Sequence, residues 1–249
     1  ANLNLLSIDP LRDGFSPESV PALWARLPGE ISAVNEVRAV ASTISALPSH
    51  SDSTQISVPA VDGKVGQGPY AAHRERIGAN YFATLGVPLL SGREFNTHDR
   101  EQDGSAILSQ TASRLLFGLK DPIGRQIRDG ERSFTVVGLA RDVRAGLITT
   151  NPAATVFLPL TAEWLARNPS QRITMLVRGT TGGNSLAALR YRIASLHPGL
   201  TIFDAHTMQE DLDRLSSFAQ WTSSMYVILG LFALLLACSF GVYGLMRKT

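Results

Sequence analysis

Few residues in this 249-residue chain have the types and spacing that chemistry needs. Glu94 and His98 stand four apart, which on a helix would put a carboxylate and an imidazole on one face, as metal ligands require. Gly92 and the setting of Phe95 argue for a loop instead, and no third ligand is near in sequence, so a solvated polar loop is expected. Asp204 and His206 occupy alternate positions, where a strand would let a carboxylate orient a general base. Chance gives that spacing equally well. Serines are plentiful, yet no Gly-x-Ser-x-Gly occurs. The run Gly179-Thr-Thr-Gly-Gly-Asn-Ser185 superficially looks like a phosphate loop, but that loop needs a lysine after its last glycine, and Asn184 cannot supply the charge. It reads as the loop capping the helix that follows. The other histidines, His50, His73 and His197, join no constellation. The expectation is therefore a non-enzymatic chain with no cofactor and no metal.

The positioning elements are organised around the C-terminal end. From Ser223 to Met246 there is no charged residue. A helix of that length extends about 36 Å at ~1.5 Å per residue, against a bilayer hydrocarbon core of about 30 Å. Trp221 and Tyr226 near one end and Tyr243 near the other suit the membrane interfaces. Arg247 and Lys248 close the segment, and basic residues prefer the cytoplasmic side, which puts residues 1–220 outside the cytoplasm, at the inner membrane. Within the span Ala233, Ala237 and Gly241 recur every four residues, the spacing of a helix-packing face. The single cysteine, Cys238, lies in the span, so neither an intrachain disulfide nor a cysteine-based zinc site exists. With 23 basic and 21 acidic residues and no basic block, nucleic acid is not expected as a partner. An exported domain that starts at Ala1 without a hydrophobic leader is expected to follow a further membrane segment or signal, so the chain reads as part of a longer protein.

Ahead of the span the patterns mix helix and strand, which argues for α+β. Ser16-Pro17-Glu18 reads as a helix start, with Val20, Leu23, Trp24 and Leu27 on one face and a break or kink at Pro28-Gly29. Residues 36–47 alternate as a strand, and 48–53 read as a loop. Residues 72–77 suit a strand with a polar face, 79–86 a short helix closed by Gly86, 105–108 a strand, 111–117 a helix ending at Gly118, and 126–128 the start of another strand. Phe134 to Leu139 is a buried strand continuing toward Val143, and 155–158 and 173–177 are further strands. Leu186, Leu189, Ile193 and Leu196 define a helix face, and 200–203 the last strand. Thr207-Met-Gln-Glu210 matches a capping box. Met208, Leu212, Leu215 and Phe218 then form an apolar stripe with no Gly or Pro before the span, which predicts a stalk helix over 207–222 continuous with the membrane helix over 223–246.

A family likeness rests on the order of several motifs. These are Asp9-Pro10 with Asp13-Gly14-Phe15, then Asn80-Tyr81-Phe82, Gly86, Gly92-Arg93, Phe95 and Asp99. Phe117-Gly118, Asp121-Pro-Ile-Gly124, Phe134-Thr-Val-Val-Gly138, Asp142-Val-Arg144 and Gly241-Val-Tyr-Gly244 follow. In that order they resemble the extracytoplasmic core domain of MacB/FtsX-type ABC transporter permeases. The resemblance implies a two-lobed external domain: a lobe like the porter subdomains of RND pumps, here 1–50 and 134–206, and a smaller lobe inserted into it, here 51–133. It also implies a cytoplasmic ABC ATPase subunit or domain, a homodimer, a periplasmic adaptor as a further partner, and contact with the lipid bilayer. The expected function is that of a permease subunit that couples ATP hydrolysis on a partner to movement outside the membrane, for export or mechanotransmission. The alternative is an extracytoplasmic sensor domain of a membrane-anchored signalling protein, which a downstream soluble signalling domain would distinguish from further membrane spans.

Overall fold

A computed structural model describes residues 3–44, 52–60, 66–96, 99, 104–143, 153–180 and 185–207, with 225, 229 and 230 beyond them. The chain divides into two compact units, and the first, which holds nearly all the described residues, runs through Met208 apart from 146–148. Its order is β1 (Leu3–Ile8), α1 (Val20–Ser32), β2 (Val37–Thr43), β3 (Asp52–Val58), β4 (Gln67–Ile77), α2 (Tyr81–Leu85), β5 (Leu89–Gly92), β6 (Ser105–Ser109) and α3 (Gln110–Phe117). Then come β7 (Gln126–Asp129), β8 (Arg132–Ala140), β9 (Thr155–Pro159), α4 (Ala162–Arg167), β10 (Ile173–Gly179), α5 (Ser185–Leu196) and β11 (Ile202–Thr207).

Two strand groups emerge from the pairing. The first is β11-β1-β10-β2, antiparallel throughout. With α1 joining β1 to β2 and α5 joining β10 to β11, this is a split βαβ arrangement, interrupted between β2 and β10 by everything else. The second group closes on itself: β4 pairs β3, β3 pairs β7, β7 pairs β8, β8 pairs β6, β6 pairs β9, and β9 returns to β4. Closure leaves no free edge in that ring. Strands β8 and β9 fall in residues that the motif order assigned to the first lobe, yet their ladders run only to strands of the ring and to β5.

Alternation explains how the sheets are covered. In β1, Leu6 and Ile8 enter one core with Val20, Leu23, Trp24, Leu27 and Ile31 of α1 and Leu189 and Ile193 of α5. Leu3 and Leu5, on the opposite face, enter another with Phe82, Ile107 and Phe157. A strand buried on both faces lacks the apolar–polar alternation that marks a surface strand, which is why β1 is not evident from the sequence. The ring is filled by Ile56, Ala72, Leu108, Ile127, Phe134, Val136, Val156 and Leu158, with Ala112, Leu116 and Phe117 of α3.

Several boundaries differ from expectation. Helix α1 starts at Val20 with Ser19 at the N-cap and Pro21 in its first turn, rather than at Ser16-Pro17. It passes through Pro28 to Ser32, whose hydroxyl donates to the Pro28 carbonyl at 2.7 Å. Asp52 and Ser53 are not loop; they open β3, paired with Arg74 and His73. Strand β8 stops at Ala140, short of Val143. The last strand lies at 202–207 rather than 200–203, because Leu200 instead closes a turn onto His197 and packs in the first core. Strand β5 and helix α4, with Thr161 as its cap, have no counterpart in the sequence reading.

Candidate functional site

Among the described residues, the buried polar and charged groups Thr43, Glu75, Arg76 and Thr84 lie on elements where the two strand groups meet. Strand β4 carries two of them. Its expected polar face is not a solvent face: Glu75 is fully buried and Arg76 nearly so, because β4 lies between β3 and β9 and touches β2 at its end. The Thr43 hydroxyl, at the end of β2, donates to Glu75 Oε1 at 2.7 Å, with the Arg76 carbonyl at 3.2 Å. The Arg76 guanidinium donates to the Pro159 carbonyl at 3.2 Å and lies 4.6 Å over the Trp164 ring. Tyr81, stacked edge-on against Phe82 and within reach of Phe157, has its phenol pushed well above the ordinary range by burial first and by the Glu75 charge second. Sequence reasoning missed Glu75 and Arg76. The signal available was a Glu and an Arg inside a strand flanked by apolar residues on both sides.

On the ring, Arg74 grips Asp129 with two bonds, Nε to Oδ2 at 2.6 Å and Nη2 to Oδ1 at 2.7 Å, and both groups bond the Thr54 hydroxyl. This ties β4, β3 and β7 together, and the bond to Asp129 raises the Arg74 pKa despite desolvation. Such fork-to-fork pairs fix geometry as well as adding energy.

The family motifs resolve into caps and close approaches. Asn80, at positive φ, starts α2, and Gly86, also at positive φ, ends it. At Gly92 (φ +76°) a Cβ would come within 2.2 Å of the Val137 carbonyl, and at Gly138 within 2.5 Å of the Arg93 carbonyl, so β5 and β8 meet backbone to backbone. Arg93 pairs with Asp99 through two 2.8 Å bonds. Asp142 accepts from the Thr111 amide at 2.8 Å and from its hydroxyl at 2.9 Å, capping α3 with a residue 31 positions downstream.

Glu94 accepts from the Ala83 amide at 2.8 Å and so serves the first turn of α2; burial raises its pKa and that bond partly offsets the rise. His98 lies outside the described residues. Asp204 and His206 stand opposite Ser7 and Leu5 on β11. Gly179 ends β10, Thr180 donates its amide to the Glu36 carbonyl, and 181–184 lie outside the described residues. His197 bonds Glu30 at 2.7 Å across α5 and α1. Among the described residues no group of three or more His, Cys, Asp or Glu is placed to hold a metal ion. The stalk residues Met208, Leu212, Leu215 and Phe218 and the packing residues Ala233, Ala237 and Gly241 lie outside the described residues. Among the described residues no helix is long and apolar enough to cross a membrane.

Residues 1–196 match the family described as MacB-like periplasmic core domain. The chain is 27% identical over 128 residues to the macrolide export ATP-binding/permease protein MacB of Aggregatibacter actinomycetemcomitans, a stretch covering 49% of this chain and 19% of the relative. It is 31% identical over 94 residues to the protein of the same name from Neisseria gonorrhoeae, covering 35% of this chain and 15% of the relative. The chain thus spans about a fifth or less of the curated relatives it matches. Among solved structures, the periplasmic region of MacB from Actinobacillus actinomycetemcomitans superposes with a TM-score of 0.52 at 15% identity, covering 88% of this chain and 92% of that one. A domain assigned to a permease from Porphyromonas gingivalis gives 0.51 at 16%, covering 82% and 91%. These two likenesses establish a shared fold. Split βαβ sheet, closed ring and capped motifs are thus the architecture of a recognised domain type, and with four-fifths of its length matched this chain belongs to the MacB-like periplasmic core domain family.

Proposed function

We propose that this chain is the extracytoplasmic domain and the following membrane helix of an ABC transporter permease. ATP hydrolysis by a cytoplasmic ATPase would reach the domain as movement and there drive export or another mechanical step. The observation that carries the reading is a family match over residues 1–196 followed by the uncharged stretch from Ser223 to Met246. The reading places the domain outside the inner membrane, in a homodimer, with a periplasmic adaptor as a further partner. The small residues Ala233, Ala237 and Gly241 would face another helix of the permease or its dimer mate.

Within the domain, we draw the inserted lobe wider than the motif order implied, to include β8 and β9, since both ladder within the ring. The apolar stripe Met208, Leu212, Leu215 and Phe218 would make a stiff stalk that carries movement from the span to the lobes.

Two measurements test this. In the full-length protein in intact cells, a Leu119→Cys label site should react with a membrane-impermeant maleimide and a Lys248→Cys site should not. Equal labelling of both would sink the topology. Replacing Phe218 and Ala219 by Gly-Gly should leave ATP turnover intact while export falls to background. Normal export through that flexible joint would rule out the stalk as a transmitter.

A further inference from the structure

We infer that the split βαβ lobe and the inserted lobe are locked into one rigid body, and that Thr43, Glu75 and Arg178 are the positioning residues that fix their angle. The inference concerns the domain itself and holds whether or not the transport reading does.

An inserted lobe joined only by two chain crossings would swing freely, as lobes with small polar interfaces do. Here the crossings are reinforced at backbone, side-chain and core level. Strand β2 does not end in solvent; Thr43 bridges Ile77 of β4. The Gly78 amide donates to the Ser42 carbonyl at 2.7 Å, and the Leu160 amide to the Ile77 carbonyl at 2.8 Å. Gly78 also lies against β2 so closely that a Cβ would meet Ser42 Oγ at 2.4 Å.

Side chains add two clamps. Fully buried Thr43, from the first lobe, donates to fully buried Glu75, from the inserted lobe. Shielded from water, such a bond resists being exchanged for solvent, since parting the lobes would strand a carboxylate. On another strand, Arg178 of β10 donates from Nε to the Thr84 carbonyl at 2.7 Å, holding the end of α2 against the first sheet. The third core is shared: Leu3, Leu5, Ala41 and Leu176 from the first sheet pack with Ile77, Tyr81, Phe82, Ile107 and Phe157 from the insert. A close-packed apolar seam of this kind deforms little and has no second arrangement on offer.

The test uses the full-length protein with Cys238→Ser and spin labels at Arg26→Cys on α1 and Leu119→Cys after α3, both exposed positions in different lobes. Pulsed electron resonance should return one narrow distance peak, the same with and without nucleotide on the partner ATPase. With labelled chain co-expressed with excess unlabelled cysteine-free chain, so that each dimer carries at most one labelled copy, a broad or two-peaked distribution overturns the inference by itself, and needs no variant of the joint. Thr43→Val combined with Arg178→Met should broaden the peak by about twofold by releasing the two clamps, whereas Glu75→Gln, which keeps an acceptor for Thr43, should leave it narrow. A double variant with the original width, on protein that still melts cooperatively, would overturn the assignment to these residues.

Discussion

The two strand groups solve the same packing problem differently. The β11-β1-β10-β2 sheet carries helices over one face, and the core there of Leu23, Trp24, Leu27, Ile31, Met175, Val177, Leu189 and Ile193 is apolar throughout. The other group closes a ring, and closure brings strands of different direction against each other at fixed points. There the chain relies on single groups: the Gly92–Gly138 approach, the Arg74–Asp129–Thr54 knot, and the Asp142 and Glu94 caps. Burial of area is non-directional and tolerant of exchange, while a cap or a close approach has one geometry. The comparison therefore forecasts graded losses in the first sheet and position-specific losses in the ring.

The largest expected effect joins them. Phe157 sits edge-on against Phe82 at 5.0 Å in the shared core, so Phe157→Ala should cost about 3–5 kcal/mol. Chemical denaturation should still show one transition, since that core is shared by both strand groups; two separated transitions would break the comparison. Gly92→Ala should cost roughly 3 kcal/mol, through a left-handed backbone angle and a clash with the Val137 carbonyl. A Gly29→Ala control, with open space around the position, should show no such loss in the same melts. Asp142→Ala should cost about 1 kcal/mol and raise hydrogen exchange in the first turn of α3, leaving α1 unchanged.

The smallest effect is in pH dependence. Burial raises the Glu94 pKa in the folded chain, so its protonated form favours folding. That contribution is present below the ordinary glutamate range and is lost as pH rises through the raised value. Glu94→Gln should flatten stability against pH in that window, changing it by less than about 1 kcal/mol because the group is partly exposed. An unchanged pH profile would show that solvent, not burial, sets the environment of this carboxyl.

What the sequence made legible follows the same division. Helices α1, α3 and α5 announce themselves through periodicity, because the apolar stripe of each meets one core, while strands β2, β6, β9 and β10 were readable as short runs rich in apolar and β-branched residues although each is divided between two cores. The turns at Gly86, Gly118 and Asp121 were readable from residue type, since positive φ and side-chain caps demand few residues. Strand β1 was hidden because burial on both faces removes alternation while Asn4 and Ser7 also break its apolar run, and β5 by its length of only four residues. Most of the joint was invisible for a deeper reason. Thr43 and Glu75 are 32 apart, and Arg178 reaches a carbonyl 94 residues away, so no local pattern couples them. Glu94 shows the same limit from the other side: its spacing to His98 admitted a ligand pair, which the loop setting argued against, but no local pattern showed its carboxylate bound to a helix amide eleven residues upstream.

The first strand has an awkward start in life. Leu6 is matched with Met175 on one side and Ala205 on the other, so both neighbours of this apolar segment are made about 170–200 residues after it. At ribosomal speeds of about 5–20 residues per second, this segment waits roughly 10–40 s for its place in the sheet. During that wait it is a bare, greasy edge, and the cell must shield it or keep the growing chain moving through an export channel until β10 and β11 arrive.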